Sequence, residues 1–160
     1  MSSSHRIVVS GPGLRFSAAH MATMGGRLEP LHGHTYRVTV EIEAPLTGDS
    51  WVWDFGDVRV AVKEVIAPLD HRFLLQVESD ALTLEHRSGS WLISHGSSSY
   101  EIPETDVIAL PIDNSTAERL AEWIASELRV SLASRGLIEA VIRVGVSEGP
   151  DQAGWYTVST

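Results

Sequence analysis

His32 and His34, separated by one glycine, open the most regular alternation in the chain: Tyr36, Val38, Val40 and Ile42 follow at every second position. Residues two apart on a strand share a face, so both imidazoles point to the side that carries the apolar residues. Leu14, Phe16 and Ala18 alternate in the same way up to His20. If the two strands pair across their Gly-rich connection, three imidazoles converge. Three nitrogen ligands with one open position is the arrangement of a catalytic zinc site. His5, His86 and His95 have no such geometry and are read as surface residues.

The elements that must hold these residues can be read along the chain. Ile7 to Ala18 is a strand or a bulged pair, broken at Gly11-Pro12-Gly13. Met21 to Pro30 reads as a loop and His34 to Ala44 as a strand. Asp54 to Pro68 reads as a helix, with Val58, Val62, Val65 and Leu69 at helical spacing and Asp54 or Asp57 as cap. Ser115-Thr116-Ala117-Glu118 is a capping-box pattern. It opens a second helix striped by Leu120, Ile124, Leu128 and Leu132, which Gly136 is placed to end. Leu137 to Ser147 is a third strand, with Ile138, Ala140, Ile142, Val144 and Val146 on one face, and Trp155 to Thr160 a fourth. Glu148 stays in phase with that apolar face. A polar insert at about 76–112 contains a hairpin turning at Ser88-Gly89. The expectation is one α+β domain over 1–160, an antiparallel four-stranded sheet with two helices on one face. Its two edges need protection, which pairing between copies would supply.

Composition narrows the partners. The chain has 160 residues, a formal net charge of −9 and no cysteine. The acidic balance argues against nucleic acid and anionic membrane as main partners. Disulfides, thiolate metal sites and cysteine nucleophiles are excluded. No run approaches the roughly 20 apolar residues of a membrane helix. The opening residues, Met1 to His5, lack the charged and apolar regions of a signal peptide, so a cytoplasmic protein is expected.

Five segments carry a resemblance: Phe16-Ser17-Ala18-Ala19-His20, Leu31-His32-Gly33-His34-Thr35-Tyr36, Val52-Trp53-Asp54-Phe55-Gly56-Asp57, Leu69-Asp70-His71-Arg72-Phe73-Leu74 and Asn114-Ser115-Thr116-Ala117-Glu118. In this order they resemble the 6-pyruvoyl-tetrahydropterin synthase and 6-carboxytetrahydropterin synthase family, over nearly the whole chain except the insert after Leu75. The resemblance implies a tunnelling fold (T-fold), with subunits joined edge to edge into a trimeric barrel and two trimers stacked as a homohexamer. It implies zinc held by His20, His32 and His34, and 7,8-dihydroneopterin triphosphate or a close relative as substrate. It implies that Glu148 anchors the pterin ring, where a carboxylate can accept two N–H donors. Without it, Glu148 reads equally well as a turn residue before Gly149-Pro150.

One departure matters. The family's usual base is a cysteine just before His-Gly-His, and this chain has none. Glu29, three residues before His32, resembles the type in which glutamate replaces it. Members of that type cleave the side chain to leave 6-hydroxymethyl-7,8-dihydropterin. The expected function is therefore a zinc-dependent lyase making that cut. The alternatives are 6-carboxy- or 6-pyruvoyl-tetrahydropterin synthesis, or a pterin-binding homologue without catalysis. Asp70 and His71 are the second proton-handling candidates, although His71 also suits the end of a helix. Thr116 and Glu118 are candidate pterin contacts, although capping accounts for Glu118 as well. Arg15, Arg27, Arg37 and Arg72 are candidates for the triphosphate, and the sequence does not choose among them.

Overall fold

The computed structural model describes residues 4–160, so the stretch Met1–Ser3 of the N-terminal reading lies outside the described residues. Strands β1 (His5–Val9) and β2 (Arg15–His20) are laid in succession along one edge of the long strand β5 (His32–Ala44). The break at Gly11 to Gly13 lets the chain leave β5 and return: Gly11 has φ 128°, and the Val38 N–H donates to the Leu14 carbonyl at 2.9 Å. β11 (Val141–Gly149) pairs with the other edge of β5, and β12 (Gln152–Ser159) with β11, both antiparallel.

The sheet is larger and more mixed than the expected four antiparallel strands. β6 (Arg72–Gln76) runs parallel to β2, and β10 (Val107–Leu110) parallel to β6, giving a seven-stranded sheet. β6 shows no alternation because both its faces are covered. Leu74 enters the main core, while Phe73 and Leu75 enter a second, smaller one. The expected hairpin insert is instead a separate three-stranded sheet, β7 (Thr83–Arg87), β8 (Ser90–His95) and β9 (Ser98–Pro103). Its Ile93 packs with Met21, Phe73 and Leu75 in that second core. Met21 to Pro30 is likewise not plain loop, because β3 (Thr23–Met24) and β4 (Arg27–Leu28) form a short hairpin inside it.

Both helices lie on one face of the large sheet. α1 (Phe55–Ile66) starts at Asp54, whose side chain accepts the Asp57 N–H at 2.7 Å. α2 (Ala117–Ser134) buries Leu120, Ile124, Leu128 and Leu132 as its spacing requires. It is capped by Thr116, which accepts the Arg119 N–H, and not by Ser115. The cap is therefore displaced by one residue; Arg119 now stands three residues beyond it, so no capping box forms, and Glu118 is left in the first turn without that role. Gly136, at φ 105°, follows the helix end. Val38, Val40, Ile42, Val144 and Val146 meet both helices in the main core. Ile138 departs from the expected face: it precedes β11 and is exposed. Among the described residues no helix is long and apolar enough to cross a membrane.

Candidate metal and pterin site

Antiparallel pairing of β2 and β5 sets His20 directly opposite His32, and Ala18 opposite His34. The residue between the two histidines has to be glycine. A Cβ on Gly33 would stand 2.9 Å from the Ala18 carbonyl oxygen, so any side chain there forces the two strands apart. The three imidazoles offer nitrogen atoms that all lie within 4.8 Å of one another.

The hydrogen bonds behind the rings decide which nitrogens face inward. The His20 Nδ1–H donates to the Ser115 carbonyl at 2.8 Å, and the His32 Nδ1–H to the Pro30 carbonyl at 2.7 Å. A ring whose Nδ1 carries the proton presents a bare Nε2. The Nε2 atoms of His20 and His32 lie only 3.2 Å apart, and His34 Nε2 is buried with no partner among the described residues. Converging lone pairs repel, and a cation between them resolves the conflict. Ligand imidazoles tied to backbone carbonyls are also the usual support of a metal centre. The donor set therefore fits zinc. Burial holds the His20 imidazole below its usual pKa, which favours the neutral ligand form. Phe16 stacks on Tyr36 at 4.9 Å, and Tyr36 presents ring edges to His20 and His34, forming the apolar floor. Burial, then the charges of Glu148 and Glu29, pushes the Tyr36 hydroxyl far above its usual pKa.

The three histidines open into a cavity of about 320 Å³ that also has Glu29, Thr116, Glu118 and Glu148 in its wall. Glu148 comes from the end of β11, at the register shift between Ser147 and Gly149. Thr116 and Glu118 come from the start of α2. Gly154 permits β12 to approach there, since a Cβ on it would lie 2.5 Å from the Glu118 backbone nitrogen. Glu29 follows β4, its N–H donating to the Ala22 carbonyl at 2.9 Å.

A residue that sequence reasoning left without a role holds this loop in place. Asn114 accepts the N–H groups of Thr23 and Ser115 at its Oδ1, and donates from Nδ2 to the Thr23 carbonyl. One side chain thus clamps the β3–β4 hairpin to the residue whose carbonyl orients His20. In the sequence Asn114 stands only as the first residue of a segment of resemblance, one position ahead of the capping pattern that starts at Ser115. Gln76 is a second such anchor, buried and donating to the Met21 carbonyl at 3.0 Å.

Asp70 and His71 stand elsewhere. Their side chains meet at 3.0 Å, and Asp70 accepts the Ser17 N–H at 2.8 Å. That backbone bond is the main reason its carboxyl stays below its usual pKa. His71, at φ 59°, donates its own N–H to the Ser17 carbonyl. The pair lines a cavity with Arg15, Ser17 and Thr35, outside the one that holds Glu29 and Glu148. A larger cavity, about 690 Å³, has both His34 and His71 in its wall.

Curled mixed sheet, two helices on one face and a histidine-lined cavity at the sheet's end define the T-fold class. The chain belongs to the 6-pyruvoyl tetrahydropterin synthase family, whose model matches residues 13–159. It is 35% identical over 146 residues, 90% of each chain, to a putative 6-carboxy-5,6,7,8-tetrahydropterin synthase of Methanocaldococcus jannaschii. It is 30% identical over 120 residues to the 6-carboxy-5,6,7,8-tetrahydropterin synthase of Haemophilus influenzae, covering 71% of this chain and 77% of that one. Among solved structures, a 6-pyruvoyltetrahydropterin synthase of Plasmodium vivax, with a catalytic glutamate replaced by alanine, superposes with a TM-score of 0.94 at 28% identity, covering 99% of this chain and 100% of that one. The 6-pyruvoyl tetrahydropterin synthase of Plasmodium falciparum gives 0.91 at 34% identity, with the same coverage.

Proposed function

We propose that the protein is a zinc-dependent pterin synthase that converts 7,8-dihydroneopterin triphosphate to 6-carboxy-5,6,7,8-tetrahydropterin and works in the cytoplasm. The observation that carries the enzymic part is the single cavity shared by His20, His32, His34, Glu29 and Glu148. The names of the relatives that share most of its length favour the 6-carboxy product over side-chain cleavage to the 6-hydroxymethyl pterin. Zinc held by the three imidazoles would supply Lewis acidity to oxygen atoms of the substrate side chain. Glu148 accepts the N–H groups of the pterin edge and fixes the ring's direction. Glu29 takes a proton from the side chain, the work a cysteine does elsewhere in the family. Thr116 and Glu118 border the ring. Asp70 and His71 lie outside this cavity, so the reading has them serve a neighbouring copy, across a contact between exposed sheet edges. A homohexamer built of trimers is the assembly proposed.

Glu29 supports a second reading. The Plasmodium vivax protein, similar over the whole chain, also has a catalytic glutamate, and with a carboxylate base the reaction becomes a retro-aldol cut leaving 6-hydroxymethyl-7,8-dihydropterin. One experiment separates these outcomes. Zinc-loaded protein is incubated with 7,8-dihydroneopterin triphosphate and the pterin product identified by mass. The 6-carboxy product supports the first reading and the 6-hydroxymethyl product the second. An unchanged substrate removes both.

A further inference from the structure

The wall of the histidine cavity is poorly made, by itself, for a flat ring. Pockets for ring compounds are lined mostly by apolar side chains, with a few polar groups that set direction. Here the proportions are reversed: imidazoles, carboxylates, Thr116 and Gln152 make up most of the wall. Among the described residues that line it, Met24 is the only apolar side chain larger than alanine. Met24 is also 72% exposed, the highest value of any large apolar side chain described. A single exposed methionine on an open surface needs no explanation. One in the wall of a polar cavity does.

The exposure follows from the hairpin. Thr23 pairs with Leu28 and Met24 with Arg27, so Thr23 and Leu28 share one face and Met24 and Arg27 the other. Leu28 packs on the second core, beneath the three-stranded sheet. With that face committed, Met24 has to point away from the core. Gly25 and Gly26 make the turn at φ 57° and 76°, the left-handed pair that a tight two-residue turn requires. A Cβ added to either would meet nothing within 4 Å, so the tip stands clear of the other described residues. The base, in contrast, is fixed twice, by the Asn114 bonds to Thr23 and by the Glu29 N–H bond to Ala22. A fixed base, a free tip and an exposed apolar side chain between them are the parts of a flap.

We propose that the β3–β4 hairpin is a flap, and that Met24 lies against the face of a flat heteroaromatic ring whose edge is held by Glu148. The unbranched thioether suits this task, because it adapts its shape and is attracted to aromatic rings. Glu148 fixes the ring's direction and Met24 its plane. Glu29 closes the base of the same hairpin, so the cover and this carboxylate are set by one element. Only the identity of the ring as a pterin rests on the function proposed above.

The test uses full-length protein supplied with zinc and isotope-labelled in its methionine methyl groups, with Met24→Leu assigning the Met24 signal by magnetic resonance. The probe is 7,8-dihydroneopterin, which lacks the triphosphate, and its fluorescence reports binding independently. The Met24 methyl resonance should move upfield in the ring current of a face-on heterocycle. The shift should follow the same saturation curve as the fluorescence and exceed that of buried Met21. Met24→Ala and Met24→Gln should weaken binding roughly two- to tenfold, whereas Met24→Leu restores an apolar cover and should stay within about twofold of the parent. The ligand-free melting temperature of all three variants should match the parent's, since the side chain is exposed; this separates the role from a structural one. Saturable binding with an unmoved Met24 methyl, or Met24→Ala binding as tightly as the parent, overturns the flap. Absence of any binding overturns both the pterin reading and the flap's occupant, an outcome distinct from binding without the shift.

Discussion

Replacing Asn114 with alanine removes three hydrogen bonds of 2.8 to 3.0 Å at once. Each is worth a net ~0.5–1.5 kcal/mol, and the Thr23 N–H and C=O are left unpaired in a partly buried place, so a loss of about 3 kcal/mol is expected. For a chain of this length that lowers the melting temperature by about 6–12 °C. The site should suffer selectively. The three imidazoles sit on β2 and β5, so zinc stays at the parent's stoichiometry, whereas the hairpin leading to Glu29 loosens. Amide exchange at Thr23 and Glu29 should speed up, and turnover should fall. Asn114→Asp keeps the acceptor for both N–H donors and loses only the donation to the Thr23 carbonyl, so it should lie between the two. Asn114→Ala melting within 2 °C of the parent, with unaltered exchange at Glu29, would show that the loop is held by something other than this clamp.

Gly33→Ala should separate β2 from β5 and strip zinc from the protein under dialysis while the helical circular dichroism persists; full zinc retention would mean the 2.9 Å approach is absorbed elsewhere. Glu148→Gln should weaken pterin binding, measured by fluorescence titration, by on the order of 1–3 kcal/mol, and unchanged affinity would place the pterin elsewhere. Glu29→Gln should lower turnover about 10²–10⁴-fold at constant zinc content; a parent-like rate would transfer the base's role to His71. Light scattering at micromolar concentration should report a hexamer or trimer, and a monomer would remove the proposed pairing of sheet edges.

The histidine cluster was legible because strand alternation is a local rule: His20 faces His32 wherever β2 and β5 pair in that register. The helices were legible for the same reason, their buried stripes being periodic. β6 and β10 were not, because Phe73, Leu74 and Leu75 point into two different cores, and no alternation survives when both faces are covered. The third strand of the small sheet is not legible because Ser98 to Pro103 alternates weakly, with Tyr100 and Ile102 half-buried among polar neighbours. The cap of α2 slipped by one residue because Ser115 and Thr116 are chemically equivalent caps, and only the tertiary demand of His20 for the Ser115 carbonyl decides between them. Asn114 was invisible as a clamp, since its partner Thr23 lies 91 positions away.

Met21 immediately follows His20 of the candidate metal site, and it is also one of the buried residues beneath the three-stranded sheet. The accessory sheet and the histidine cluster are thus adjacent links of one chain, with no slack between them. An excursion that lifts β8 off Phe73 and Leu75 uncovers Met21 and frees the backbone next to His20. Opening of the accessory sheet and loosening of the centre then belong to a single cooperative unit. If the three imidazoles hold a metal, its exchange should be paced by the breathing of residues 83–103, of which Ile102 shares a cavity wall with His34.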